Sequence, residues 1–410
     1  MERIVIVGAS LAGAMAAETL REQGFDGELV LLGEEGEPPY ERPPLSKGYL
    51  LGKEPREKAF VHDEKWYAEH SIELRLGVRA TWLEPSARTV TVEGGESLRY
   101  DKLLLATGSR VRTLRVPGAE LHGVRYLRTL DESDELKRGF TAGARVVVVG
   151  AGWIGMEAAA AAREHGAAVT VVELDSLPLR RVLGDEVARV YADLHTEHGV
   201  DFRFGESVAE ITGDAGQVSG VRLSDGEQLP ADLVLAGIGI TPAVELADVA
   251  GLEVDDGVVT DERLRTSDPA IWACGDVASS YHPMIGKRIR VEHWANALNG
   301  GKAAAGSMLG AEEPYDRVPY FFSDQYDLGM EYSGYAEPGG YDRVVFRGDP
   351  AAREFVAFWL ADGRVVAGMN ANVWDVTDPI QRLVRAGFGG TAVDVERLTD
   401  PQVPLEELAP

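Results

Sequence analysis

Arg145-Val146-Val147-Val148-Val149-Gly150-Ala151-Gly152-Trp153-Ile154-Gly155 is the stretch that decides the fold of this chain. Four successive valines predict a strand buried on both faces, as in a parallel sheet. The glycines after it turn the chain sharply into an Ala-rich helix that runs to about His165, and the next apolar run, Ala168 to Glu173, reads as a second strand. Strand, glycine turn, helix, strand is the βαβ unit that binds dinucleotides. Gly150 permits the tight turn, Gly152 lets a pyrophosphate approach the backbone, and Gly155 lets the helix close on the strand. The free N–H groups and dipole at the helix start favour an anion.

The same plan occurs earlier. Arg3 to Val7 is a β-branched strand, followed by Gly8-Ala9-Ser10-Leu11-Ala12-Gly13, a helical pattern from Ala14 to Glu22 and a strand from Glu28 to Leu32. Ser10 replaces the middle glycine and is small enough to admit a phosphate. Each unit has a carboxylate placed for an adenosine ribose. Glu173 lies 18 residues beyond Gly155, and Glu34 lies 21 residues beyond Gly13, with Glu35 as its rival and a pair of solvated loop charges as the plain alternative. A carboxylate at Glu173 welcomes a 2′-hydroxyl and repels a 2′-phosphate, which predicts NADH over NADPH. Arg180 and Arg181 follow it, either near enough to hold a phosphate or simply solvated.

Each unit also has a distant closing strand. Tyr100 to Gly108 ends in Ala106-Thr107-Gly108, Ala231 to Gly239 ends in Gly237-Ile238-Gly239, and a third such element is Ile271 to Asp276. The second unit is therefore expected to be inserted into the first, with breaks near Leu114 and Thr241. The expected domains are 1–113 with 242–318 for FAD, 114–241 for NAD, and 319–410 as a separate C-terminal domain. From about Pro319 short alternating segments appear: Tyr320 to Phe322, Val344 to Phe346, Phe355 to Leu360 and Val365 to Met369. Gly, Pro and Asp turns separate them, which reads as an antiparallel sheet. A helix is expected from Pro379 to Ala386 and a loose tail after Thr399. The fold class is α/β: two Rossmann-like dinucleotide-binding domains, glutathione-reductase-like, plus a C-terminal α/β domain with an antiparallel sheet.

Composition narrows the function. The chain has 410 residues and a net charge of -26, which argues against nucleic acid as a partner. Its single cysteine, Cys274, rules out an intrachain disulfide and a redox dithiol. The apolar stretch Ile4 to Ala17 carries the glycine fingerprint, so it reads as fold rather than as a secretion signal. No apolar run reaches the ~20 residues of a membrane helix. The cytoplasm is the expected location, and monomer and homodimer both remain open. Two dinucleotide sites in one chain imply a flavin beside a nicotinamide, because hydride transfer needs a donor and an acceptor. The proline-stiffened segment Pro38 to Lys47 presents Arg42 and Lys47, either toward a flavin or as solvated cations on a rigid loop.

Taken together these motifs resemble the FAD-dependent NADH:ferredoxin reductases of bacterial oxygenase systems, the putidaredoxin reductase and biphenyl dioxygenase ferredoxin reductase type. Apoptosis-inducing factor is more distantly similar. The resemblance rests on Gly8-x-Ser10-x-x-Gly13, Arg42-Pro43-Pro44-Leu45-Ser46-Lys47, Ala106-Thr107-Gly108, the complete second fingerprint, Cys274-Gly275-Asp276 and Val291-Glu292-His293. It implies that Arg42, Lys47, Ala80 and Arg112 line FAD and that Asp276 bonds the ribityl chain. Glu292 and His293 would open a helix facing the flavin's pyrimidine edge. Lys47 would approach flavin N5 and pair with Glu157, which would also meet the nicotinamide carboxamide. Phe322 stands where relatives carry tryptophan beside the flavin; ordinary core is its other reading. Cofactor contacts are further expected from Ala12, Ile154, Gly237 and Gly239.

The activity so implied is hydride transfer from NADH to FAD, then one-electron transfer to an iron–sulfur ferredoxin that supplies an oxygenase. Two other readings are an NADH oxidase or diaphorase using oxygen or quinone directly, and a redox sensor like apoptosis-inducing factor.

Overall fold

The computed structural model describes residues 1–408, and the chain divides into two units. The first contains Met1–Glu41, Arg56–Arg110 and Thr241–Pro319; the second contains Arg42–Pro55, Val111–Ile240 and Tyr320–Pro410.

In the first unit a parallel sheet runs in the order Ile271–Ala273, Lys102–Leu105, Arg3–Val7, Glu28–Leu32, Ile72–Arg75. The register sets Ile4 beside Leu29 on one flank and beside Lys102 on the other. Ile4, Val5 and Ile6 are wholly buried, because both faces of the sheet are covered. The strand Ile271–Ala273 joins this sheet from far along the sequence, beside Leu103 to Leu105. The second nucleotide unit is therefore an insertion into the first. Helix Leu11–Glu22 packs against helix Trp294–Met308 so closely that a Cβ on Gly301 would stand 2.3 Å from the carbonyl oxygen of Ala12.

In the second unit another parallel sheet runs Val200–Phe204, Ala168–Glu173, Arg145–Val149, Leu233–Ala236, Val124–Arg125. Val146 to Val149 are all buried, as the valine run requires. The C-terminal sheet is antiparallel, in the order Tyr320–Gln325, Leu328–Gly334, Arg364–Ala371, Glu354–Ala361, Arg343–Asp349. The strand Leu328–Gly334 was not expected from the sequence; it holds two glycines and no β-branched residue. Helix Thr377–Phe388 lies on this sheet, and Gly387 permits the contact, since a Cβ there would fall 2.0 Å from the carbonyl oxygen of Val365.

Three expectations change: the C-terminal segment, expected as a domain of its own, groups with Val111–Ile240 in the second unit. Arg42–Pro55 was assigned to the FAD domain, yet it packs within the second unit. The Ser133 hydroxyl donates to the carbonyl of Leu45, and the Tyr49 hydroxyl bonds Asp134, so helix Leu130–Gly139 anchors the segment. The tail is also not loose over its described part. Arg347 donates to the carbonyls of Leu398, Asp400, Pro401 and Val403, and Leu405 is buried; residues 409 and 410 lie outside the described residues. A single guanidinium thus satisfies four carbonyls that a polar, proline-rich tail leaves open.

Arg347→Met keeps the apolar stem and removes those bonds. Limited proteolysis should then cleave beyond Leu398 at least about tenfold faster while the rest of the protein stays intact; an unchanged cleavage rate contradicts the anchoring.

Candidate functional site

Each unit contains a phosphate cradle. In the first, Gly8 has φ +119 and a Cβ on it would meet the Ala106 carbonyl oxygen at 2.0 Å, while a Cβ on Gly13 would meet the Gly8 carbonyl oxygen at 2.0 Å. Only glycine fits either position. Ser10 is the N-cap of helix Leu11–Glu22, yet no side chain caps the helix and its first turn holds no acidic residue. The helix start is thus left to an anion. Gly275, with φ +76, comes within van der Waals reach of the same turn, where its Cβ would lie 3.2 Å from the Ala12 Cβ. Asp276 follows it in the turn Gly275–Val277, and its charge acts on Glu292 and His293. These features fit the diphosphate and polyol of FAD.

The remaining candidates of this unit are placed as follows. Glu34 is half exposed and faces Arg79 and Arg110 at 3.6 and 3.7 Å. Glu35 accepts from the Tyr40 hydroxyl, which leaves Glu34 the more open of the two. Thr107 donates its hydroxyl to the Ala243 carbonyl at 2.8 Å, so its role is to tie the strand end down. Ala106 is buried, and Ala80 is half-buried at the start of strand Ala80–Glu84. Gly108 has φ +67, a turn conformation that suits glycine. His293 is the N-cap of helix Trp294–Met308, but its side chain makes no capping bond. Burial pushes the Glu292 carboxyl up, against the pull of Arg290.

The second cradle is built the same way. A Cβ on Gly150 (φ +97) would sit 2.5 Å from the Gly237 carbonyl oxygen, and one on Gly155 would sit 2.1 Å from the Gly150 carbonyl oxygen. A Cβ on Gly237 would in turn lie 3.4 Å from the Gly155 backbone, and Gly239 has φ +96. Gly152 differs: a Cβ there would meet nothing within 4 Å, so its lack of a side chain serves something outside the fold. No side chain caps helix Trp153–Glu164 and its first turn is free of acidic residues. Ile154 is 42% exposed beside this opening. Trp153 turns away from it, its ring edge-on to Tyr191 and Phe321 at 5.7 and 5.2 Å.

Glu173 accepts from the Ala151 N–H at 2.6 Å and from the Asp175 N–H at 2.9 Å. It therefore braces the glycine turn, and a carboxylate keeps lone pairs for further donors. Arg180 and Arg181 both pair with Asp175, at 3.1 and 3.2 Å, and Arg180 also bonds Asp185. Those arginines are engaged locally. Arg112 donates its Nε–H to the Ile240 carbonyl, and Arg42 donates to the Arg128 carbonyl.

The densest polar cluster of the second unit surrounds Glu157, one turn into helix Trp153–Glu164 and only 3% exposed. Lys47 donates to its Oε1 at 2.7 Å, and the Lys47 ammonium lies 5.4 Å from the centre of the Phe322 ring. Ser46 donates to Oε2 at 2.5 Å and Ser323 to Oε1 at 2.7 Å. A buried carboxylate needs such partners, because desolvation costs several kcal/mol per ion. Sequence reasoning named Lys47, Glu157 and Phe322, but not Ser46 or Ser323. Ser46 adjoins Lys47 and Ser323 adjoins Phe322, and that adjacency was the available signal.

Residues 2–301 match the family described as pyridine nucleotide-disulphide oxidoreductase, and residues 320–409 match one described as reductase C-terminal. The chain belongs to the pyridine nucleotide-disulphide oxidoreductases. This reductase is 41% identical to the anthranilate 1,2-dioxygenase system ferredoxin–NAD(+) reductase component of Burkholderia cepacia, over 98% of each chain. It is 37% identical to the putidaredoxin reductase of Pseudomonas putida, over 99% of this chain and 96% of that one. Among solved structures it is similar to the covalent putidaredoxin reductase–putidaredoxin complex, with TM-score 0.94 and 37% identity over 99% of this chain and 97% of that one. The family uses FAD and a nicotinamide nucleotide, so the reductase is an oxidoreductase and a flavoprotein. Despite the family's name it has no dithiol: Cys274 is its one cysteine, and burial pushes that thiol up to about 12. Among the described residues no helix is long and apolar enough to cross a membrane.

One further buried group makes stability depend on pH. Burial lowers His195 from 6.5 to about 4, against the opposing bond to Gln325 and with a smaller push from His198. The unfolded chain takes up a proton as pH falls through 6.5, whereas the folded chain resists until about 4. Stability from this group is present above pH 6.5 and is lost as pH falls toward 4, by roughly 3 kcal/mol in all. Denaturant unfolding should show a steeper loss across that window in the parent than in His195→Asn; identical slopes contradict it.

Proposed function

We propose that the reductase passes electrons from NADH through FAD to a small iron–sulfur ferredoxin that supplies an oxygenase. The observation that carries this reading is the pair of cradles together with Glu157 held against Lys47 and an engaged set of neighbouring arginines. The printed names of the full-length relatives support the ferredoxin as acceptor. The lone buried thiol argues against disulfide exchange. A cytoplasmic location would give it access to an NADH pool.

The chemistry that the bound cofactors supply is transfer of a hydride followed by release of electrons one at a time. The protein's part is to bind, orient and exclude water. In the first unit the Gly8–Gly13 turn would hold the FAD diphosphate, Glu34 its adenosine ribose and Asp276 its ribityl hydroxyls. Ala80, Glu292 and His293 would line the same cofactor. In the second unit the Gly150–Gly155 turn would hold the NADH diphosphate and Glu173 its adenosine ribose. Lys47, Phe322, Arg42 and Arg112 would face the flavin, and Glu157 would accept from the nicotinamide carboxamide. Asp175 pairs with both nearby arginines, which offsets part of the positive charge that a 2′-phosphate beside Glu173 would need.

Glu173→Gln keeps an acceptor for the Ala151 N–H and removes the charge. It should shift the ratio of kcat/KM for NADPH over NADH upward by about tenfold; an unchanged ratio removes Glu173 from the ribose. Lys47→Ala should slow flavin reduction by NADH, followed by stopped flow, between about tenfold and a hundredfold, and a rate equal to the parent's takes Lys47 out of the site.

A further inference from the structure

The polar cluster does not end at Ser323. The Gln325 amide Nε2 lies 3.1 Å from Ser323 Oγ, and its Oε1 lies 2.7 Å from His195 Nε2. Ser323, Gln325 and His195 are all 1% exposed or less, and all belong to the second unit. Three polar side chains in an apolar interior are costly unless each bond is made.

The sense of every bond in this chain follows from one end. The Glu157 carboxylate, paired with Lys47, can only accept. The single Ser323 O–H must therefore point at Glu157, which leaves the Ser323 oxygen to accept from the Gln325 N–H. That turns the Gln325 carbonyl oxygen toward His195, which has to supply an Nε2–H. His195 is thereby fixed as one tautomer, and its Nδ1 becomes the lone-pair nitrogen. Consistent with this, Nδ1 is buried and has no hydrogen-bond partner. Aromatic rings enclose the imidazole, with Tyr326 edge-on at 5.1 Å and Phe202 at 6.4 Å. Burial also opposes protonation of the ring.

We propose that His195, Gln325 and Ser323 form a one-directional hydrogen-bond relay that positions the Glu157 carboxylate against Lys47. The three are positioning residues: they act on NADH through Glu157 and touch neither cofactor. The inference rests on the reading of Glu157 as the group that meets the nicotinamide. The other groups that face the relay fit this role. Ser46 fixes the second oxygen of Glu157. Tyr191 senses the Glu157 charge, and burial raises it above its usual range. His198 is the titratable neighbour of His195, stacked on Tyr326 at 3.7 Å.

The relay also explains the pattern of strand Tyr320–Gln325. Phe321, Ser323 and Gln325 alternate onto its buried face, while Phe322 and Asp324 point to the other. An apolar residue at 323 would remove a donor from the carboxylate, and one at 325 would break the link between Ser323 and His195.

The test uses FAD-loaded enzyme labelled with ¹⁵N-histidine, without nucleotide. The resonances of His195 are identified by their loss in His195→Asn. The relay predicts the Nε2–H tautomer, an Nε2 resonance that moves in both Ser323→Ala and Glu157→Gln, and its return in Ser323→Thr, which keeps the hydroxyl. It further predicts that Ser323→Ala raises KM for NADH about fivefold and that Ser323→Thr restores it. An Nδ1–H tautomer, or a His195 resonance unmoved by Ser323→Ala, overturns the relay. The reading of Glu157 is tested apart from it by NAD⁺ binding: if Glu157→Gln leaves the Kd unchanged while the resonance shifts persist, the relay stands and the nicotinamide role of Glu157 falls.

Discussion

The architecture depends on one steric constraint, the passage of a helix N-terminus beside the end of a parallel strand with no side chain between. Gly150 and Gly155 meet that constraint in the second unit and Gly8 and Gly13 in the first, each where a Cβ would stand about 2.0 to 2.5 Å from a carbonyl oxygen. The close approach brings the helix dipole to the strand edge, and neither helix has a capping side chain or an acidic first turn to consume it. The positive end is therefore available to an anion. Gly152 makes the point most clearly, since the fold itself leaves room for a side chain there and the sequence declines it.

A second constraint governs the charge buried in the second unit. Glu157 sits on the same helix as the cradle, buried, and its charge is tolerated because three donors converge on it. Such a pair adds little to stability, since desolvation offsets most of the attraction. Its value is geometric. A carboxylate with every donor specified has one orientation, and hydride transfer rewards fixed orientation more than it rewards acid or base strength. The same logic explains why Lys47 arrives on a segment stiffened by Pro43 and Pro44: the turn Pro43–Ser46 delivers Ser46 and Lys47 to the carboxylate together.

How much of this was legible in the sequence depended on the range of the interactions. Both parallel sheets could be read because buried strands are continuous apolar runs and because the glycine turns have a fixed spacing. The insertion was legible from the three strands that end in small residues. Strand Leu328–Gly334 was not, because it holds two glycines and no β-branched residue. The tail was misread because its order comes from Arg347, more than fifty residues earlier in the chain. In the site, Lys47 and Glu157 came from family resemblance, and their contact spans 110 residues of sequence. Ser323 could be suspected only from its place beside Phe322, and Gln325 and His195 gave no signal at all. Alternating polar residues on a strand ordinarily mark the solvent face, and here they mark the buried one. Only tertiary packing reveals that inversion.

The central claim is that two separate glycine-turn cradles hold two dinucleotides. Gly152→Val tests it directly, because the backbone there has φ -77 and open space for a side chain, so folding is spared. Anaerobic titration with NADH, followed at the flavin absorption band, should bleach the parent fully. The account predicts that the variant is isolated with its usual FAD content but bleaches only at far higher NADH. Loss of FAD along with NADH reactivity, or bleaching identical to the parent, would contradict it.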